Sequence, residues 1–275
     1  MKKPAPRGRP IDLTRISRWA RDFAGYRHPV TDHRIELWLR QFSRGDQDLA
    51  ARMLDCVDFV TVQQMAAAFR AALASLPGWN INPQRRHGTW RFVPFSSSAG
   101  ESGDPMLWQF RIANGLGNNR YNELFIYKRD LLNAGLGVND TVVFVDDFAG
   151  TGEQACWAWS NSIQELLPEE PNVYLVLVAA STAARDKIRA ETKLTVTPYI
   201  TLASKDDVFS PKCAHFTGQE KSTLLSYCLK ANRRSPRGHG DCGFVIVFAH
   251  RCPNNSIPIL HMCHGRWEGL FPRHD

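Results

Sequence analysis

Apolar residues recur at helical spacing through the first third of the chain. Ile11, Leu13, Ile16, Trp19, Ala20 and Phe23 fall on one side of a predicted helix, because residues three and four apart share a face. A turn over Gly25–Val30 follows, and Thr31 is placed to cap a second helix with Ile35, Trp38, Leu39 and Phe42 inside. Gly45-Asp46 breaks it, and Leu49–Val57 reads as a third helix. Thr61-Val62-Gln63-Gln64 has the form of a capping box before a fourth helix, which carries Met65, Ala68, Phe69, Ala72 and Leu73 on one face and ends at Leu76-Pro77-Gly78.

The pattern then alternates. Thr89–Phe95 reads as a strand and Ser96–Gly103 as a small-residue loop; Asp104 and Pro105 then open a helix presenting Met106, Leu107, Phe110 and Ile112. Glu123–Leu132 fits helix or strand equally. Thr141–Val145 is a buried strand that runs into Asp146 and Asp147, then Phe148-Ala149 and a Gly-Thr-Gly turn at 150–152. A helix over Gln154–Leu167 follows, with Ala155, Ala158, Trp159, Ile163 and Leu166 inward. Tyr174–Ala180 is apolar throughout, as a strand covered on both faces is. Ser181 or Thr182 caps the next helix, and Leu194–Leu202 is a strand whose Pro198 argues for a sheet edge. Further on, a helix from Thr217 or Gly218, a basic loop over Arg233–Gly240, a strand over Gly243–His250 and a rigid turn over Cys252–Pro258 complete the reading. This order predicts an α/β fold: a mainly parallel sheet flanked by helices, preceded by an α-helical N-terminal subdomain. The expected divisions are a basic arm at residues 1–10, the helical subdomain at 11–86 and the α/β domain at 87–275.

Composition narrows the function classes. A hydrophobic fraction of 43% and a charged fraction of 22% describe an ordinary globular chain. No apolar run reaches the roughly 18–20 residues of a membrane helix, and no apolar segment follows the basic N-terminus as a secretory signal requires. The 7 cysteines are odd in number and none forms a C-x-x-C pair, which favours reduced thiols in a cytoplasm. His261, Cys263 and His264, with Cys242 and Cys252, offer zinc-ligand types at a spacing that matches no zinc pattern. The net charge of +7 suits an anionic ligand or nucleic acid. Much of it sits in the N-terminal arm and in Arg233–Arg237, which also read as solvated segments.

The candidate chemistry gathers at the carboxyl ends of two strands, where open parallel sheets bind ligands. The carboxylates of Asp146 and Asp147 suit vicinal sugar hydroxyls and hydrated Mg2+. Ala149, Gly150, Thr151, Gly152 and Glu153 can wrap a monophosphate, with glycines for close approach and a helix start for partial positive charge. Ser96, Ser97, Ser98, Ala99 and Gly100 offer further backbone donors to an anion. The segment is neither a Walker A loop, which needs a lysine, nor a dinucleotide fingerprint, in which the glycines precede the acid. Two readings stand side by side: a ribose 5-phosphate site, and a plain strand-to-helix turn capped by acids.

VVFVDDFAGTG resembles the PRPP-binding motif of type I phosphoribosyltransferases. With RFVPFSSSAGESGDPM upstream, and PNNSIPIL and Trp267 downstream, the chain is similar to a phosphoribosyltransferase-like group of bacterial defence and conflict operons, over Trp90–Arg273. The resemblance implies that Asp146 and Asp147 hold the ribose hydroxyls and the Mg2+ shell, that Ala149–Gly152 hold the 5-phosphate, and that Ser96–Gly100 occupy the position of the pyrophosphate loop. It implies a Mg2+-dependent pentosyltransferase displacing pyrophosphate from PRPP. One departure is that Ser96–Gly103 lacks the basic residue that many members carry in the pyrophosphate loop. The alternatives are a catalytically degenerate module that senses a nucleotide and regulates an operon-encoded partner protein, and a nucleic-acid binder using the basic arm and Arg233–Arg237.

Overall fold

Continuous apolar runs in an α/β chain become central strands, because helices cover both sheet faces. The computed structural model describes residues 12–95, 103–265 and 267–273. In chain order its elements are α1 (Leu13–Asp22), α2 (Asp32–Arg40), α3 (Gln47–Asp55), β1 (Asp58–Val60), α4 (Val62–Ser75), β2 (Trp90–Pro94), α5 (Gly103–Ala113), β3 (Thr141–Ala149), α6 (Glu153–Ala158), β4 (Asn172–Ser181), α7 (Thr182–Glu191), β5 (Thr195–Leu202), α8 (Gly218–Ala231), β6 (Ile246–Phe248), β7 (Cys263–His264) and β8 (Trp267–Glu268). They form two compact units. One is Gln63–Leu202; the other joins Met1–Val62 to Ala203–Asp275. The first three helices thus belong to one unit and nearly all of the fourth to the other.

Gln63–Leu202 holds a four-stranded sheet in the order β2-β3-β4-β5, every pair parallel. The two apolar runs are its centre, as their lack of alternation requires. Val142, Phe144, Leu175 and Leu177 pack on one face with Ala155, Trp159 and Ile188. On the other face Phe92 meets Phe110 at 5.1 Å, and Phe110 meets Phe69 of α4 at 5.8 Å. Pro198 lies on the edge strand β5, where a missing N–H leaves no ladder bond unmade.

Several elements differ from expectation. The strand expected to stop at Val145 runs on to Ala149. The ambiguous stretch is neither α-helix nor strand but two 3-10 turns, Asn119–Leu124 and Lys128–Asn133, around a bridge from Phe125 to Phe92. Helix α5 begins at Gly103, so Asp104 sits in its first turn rather than at its cap. After Ala158 the helical path widens into a π turn, Trp159–Ile163, then a 3-10 turn, Gln164–Leu166. There Asn161 Nδ2 and Ser162 Oγ donate to the carbonyls of Trp157 and Ala158, at 2.8 and 2.9 Å. Such side-chain bonds compete with the regular ladder.

The composite unit is built from chain ends. Trp38 Nε1 and Trp267 Nε1 both donate to the carbonyl of Ile259, at 2.9 and 3.1 Å. Gln41 pairs like a strand residue with Glu268, donating to its carbonyl at 2.8 Å and accepting from its N–H at 2.7 Å. Tyr26 Oη donates to the carbonyl of Pro272 at 2.6 Å, and burial raises its pKa. Of the expected strand over Gly243–His250, only β6 is extended, paired in parallel with β1, which the sequence pattern did not reveal. α8 opens with a full capping box, Thr217 and Glu220.

Candidate functional site

The site is built from unequal strand lengths. The β2–β3 ladder ends at Pro94↔Val145, with Phe95 N–H donating to the Val145 carbonyl at 2.9 Å. Beyond it β3 continues four residues, paired with β4 at Asp146↔Leu177, Phe148↔Ala179 and Ala149↔Ala180. The acids therefore lie inside the strand, past the point where β2 has left. Asp146 is only 5% exposed and Asp147 is half-buried. The two-residue period of a strand sends their side chains to opposite faces. Asp146 shares the face of Phe144, toward α6 and α7, and its Oδ1 accepts from the Asp147 N–H at 2.9 Å.

At Gly150 the chain leaves the ladder. The Gly150 carbonyl accepts a hydrogen bond from Ser181 Oγ at 2.7 Å, and Ser181 Oγ in turn accepts from Ala184 N–H at 2.8 Å. Gly152 has φ 77°, a left-handed conformation, and a Cβ there would lie 2.9 Å from the Ala184 carbonyl oxygen. Glycine is required at this position on both counts. Thr151 Oγ1 accepts from Glu153 N–H at 3.3 Å, which leaves its own proton to donate. Among the described residues, no acceptor engages the Thr151 or Gly152 N–H. Glu153 is exposed and opens α6. Cys156, one turn on, is not a candidate nucleophile: burial and a hydrogen bond with Glu191 push its thiol up to about 11.

Ser96, Ser97, Ser98, Ala99 and Gly100 lie outside the described residues. The described residues on either side, Phe95 and Gly103, approach closely: a Cβ on Gly103 would come within 2.8 Å of the Phe95 backbone carbon. Phe95 and Gly103 thus lie next to the level at which β3 reaches Asp146. Ser181 escaped the sequence reading as a site residue. Its only signal was a serine at the junction of a buried strand and a helix, which reads equally well as a helix cap.

An unequal parallel ladder, acids at the carboxyl end of the longer strand and a glycine turn at a helix start define a phosphoribosyltransferase-like α/β protein. The chain matches the PRTase-CE family over residues 35–273 and belongs to it. The match begins within α2, well before the Trp90 at which motif resemblance starts. No curated protein and no solved structure matches the chain. Among the described residues no helix is long and apolar enough to cross a membrane.

Proposed function

We propose that the Asp146–Glu153 segment is a ribose 5-phosphate cradle and that its ligand is PRPP or a close relative. The observation that carries this is the Thr151–Gly152 turn, whose two N–H groups have no acceptor among the described residues, just beyond a strand that carries two carboxylates near its carboxyl end. Asp146 and Asp147 accept from the ribose hydroxyls. The Thr151 and Gly152 amides and the Thr151 hydroxyl donate to the 5-phosphate. The partial positive charge at the start of the helical run after Gly152 adds to them.

Mg2+ suits this donor set. It binds through one or two carboxylates with phosphate and water completing its shell. Among the described residues, no cluster of three or more His, Cys, Asp or Glu would hold a metal without such a ligand. Asp146 and Asp147 would hold its shell, and when bound it would neutralise charge on pyrophosphate. The chemistry proposed is substitution at the ribose anomeric carbon. The bond from that carbon to pyrophosphate breaks, pyrophosphate keeps the electron pair, and an acceptor or water bonds to the carbon. The chain's part is to hold the sugar by its hydroxyls and its 5-phosphate while positive charge builds on the ring, with the nearby carboxylates favouring that charge.

Calorimetry with PRPP, ribose 5-phosphate and mononucleotides, with and without Mg2+, tests the cradle. A pyrophosphate assay on whatever binds tests turnover. Absence of binding by every ribose phosphate would remove the proposal. A second reading, ligand sensing without turnover, is favoured by the absence of a basic residue from Ser96–Gly103, the segment that the resemblance places at the pyrophosphate. Saturable binding of PRPP that stays intact with every acceptor would select it.

A further inference from the structure

Ser181 is 4% exposed and stands where the sheet changes partners. The last β3–β4 pair is Ala149↔Ala180, while β4 remains paired with β5 for one more residue, Ser181↔Leu202. The Gly150 carbonyl, leaving the ladder, loses a backbone partner at this step. The Ser181 hydroxyl takes that place at 2.7 Å. Immediately behind, the backbone of Ala184 sits so close to Gly152 that no side chain fits between them.

We infer that Ser181, backed by the first turn of α7, is a positioning residue for phosphate recognition: by holding the Gly150 carbonyl it turns the Thr151 N–H toward the ligand. The inference rests on the reading of 150–152 as a phosphate turn. The reason is peptide geometry. The chain has no cis peptide among its described residues, and in a trans peptide the carbonyl and the following N–H point in opposite directions. A carbonyl fixed inward on Ser181 therefore leaves the Thr151 amide directed outward. A rotation of this peptide would exchange donor for acceptor at the anion's position, converting attraction into repulsion. A helix cap alone would not require this arrangement. Capping α7 needs only an acceptor, which Asp or Asn supplies equally well. The bond to Gly150 needs a hydroxyl proton, and Ser181 spends its single one there.

The test uses the full chain with three variants: Ser181→Ala, Ser181→Thr, and Val173→Ala as a destabilised control in the buried amino-terminal part of β4. Each is titrated with ribose 5-phosphate, ribose and inorganic phosphate, followed by calorimetry and by the backbone amide signals of Thr151 and Gly152. In the wild type and in Ser181→Thr, both amide signals move on adding ribose 5-phosphate. In Ser181→Ala, affinity for the phosphorylated sugar falls roughly tenfold or more, from loss of one oriented donor, while affinity for ribose is unchanged. Val173→Ala binds like the wild type. Wild-type affinity in a folded Ser181→Ala chain overturns the inference, as does an equal loss in Val173→Ala. Binding of inorganic phosphate at these amides that depends on Ser181, without ribose 5-phosphate binding, upholds the inference and removes the phosphoribosyl reading. Binding of neither probe at these amides removes both.

Discussion

Strand β3 has aspartates near both ends, and the two ends are built differently. At the amino end Asp140 closes the structure on itself. Its Oδ1 accepts from Thr89 N–H at 2.6 Å and its Oδ2 from Gly137 N–H at 2.8 Å. Its carbonyl takes Asn172 N–H at 2.9 Å and Asn172 Nδ2 at 3.1 Å. Burial raises the Asp140 pKa, but hydrogen bonds from Gly137 and Thr89, with Arg91 nearby, outweigh it, and the net shift is downward. At the carboxyl end β2 stops early, the ladder opens on one side, and the turn after the acids leaves the Thr151 and Gly152 N–H groups without an acceptor among the described residues. One residue type thus serves as a latch where backbone donors converge on it, and is proposed as a ligand group where the strand outruns its neighbour.

That contrast can be broken experimentally. The largest effect is expected from Asp146→Asn with Asp147→Asn: binding of PRPP measured by calorimetry should weaken by about a hundredfold or more, as charge-assisted hydrogen bonds to the sugar are lost. The thermal midpoint should stay near that of the wild type. A large fall in stability with affinity preserved would reverse the assignment of the two ends. Gly152→Ala should follow, because it forces a left-handed residue and drives a methyl against Ala184. Urea unfolding should show a loss of about 2–4 kcal/mol from the combined strain and overpacking.

Asp140→Ala should cost about 2 kcal/mol, from hydrogen bonds lost to a charged acceptor, and leave PRPP affinity unchanged. The carboxylate's folded pKa is depressed, so its contribution is complete above its unfolded pKa and disappears as pH falls through the folded value. Stability of the wild type should therefore drop on acidification through that range, and the drop should shrink in the variant. A pH profile identical in both would sink the latch. Asn172→Ala, which removes side-chain donation to the carbonyls of Val138 and Asp140, should cost about 1 kcal/mol by thermal melting and change no binding constant.

Legibility in the sequence followed the range of the interactions involved. The central strands were readable because burial on both faces demands unbroken apolar runs, and Thr31 and Pro198 were readable because capping and edge rules are local. The family was readable from the motif around Asp146, because its acids, glycines and threonine follow one another within a few residues. The far end of β3 was not, since Asp146–Ala149 stay extended through pairing with β4, some thirty positions on. Strand β1 was invisible because Asp58-Phe59-Val60 is too short for any period, and it exists only through Ile246–Phe248. Ser181 was legible as a cap and illegible as the partner of Gly150, 31 residues away.

The sequence by itself determined the α/β class, the central strands and the phosphoribosyltransferase-like family, because each depends on periodicity or on neighbours along the chain. Tertiary structure alone decided that β3 outruns β2, that its two acids face opposite sides of the sheet, and that Ser181 and Ala184 brace the turn. Those facts depend on which backbone groups find partners across the sheet, and a linear pattern carries no record of that pairing.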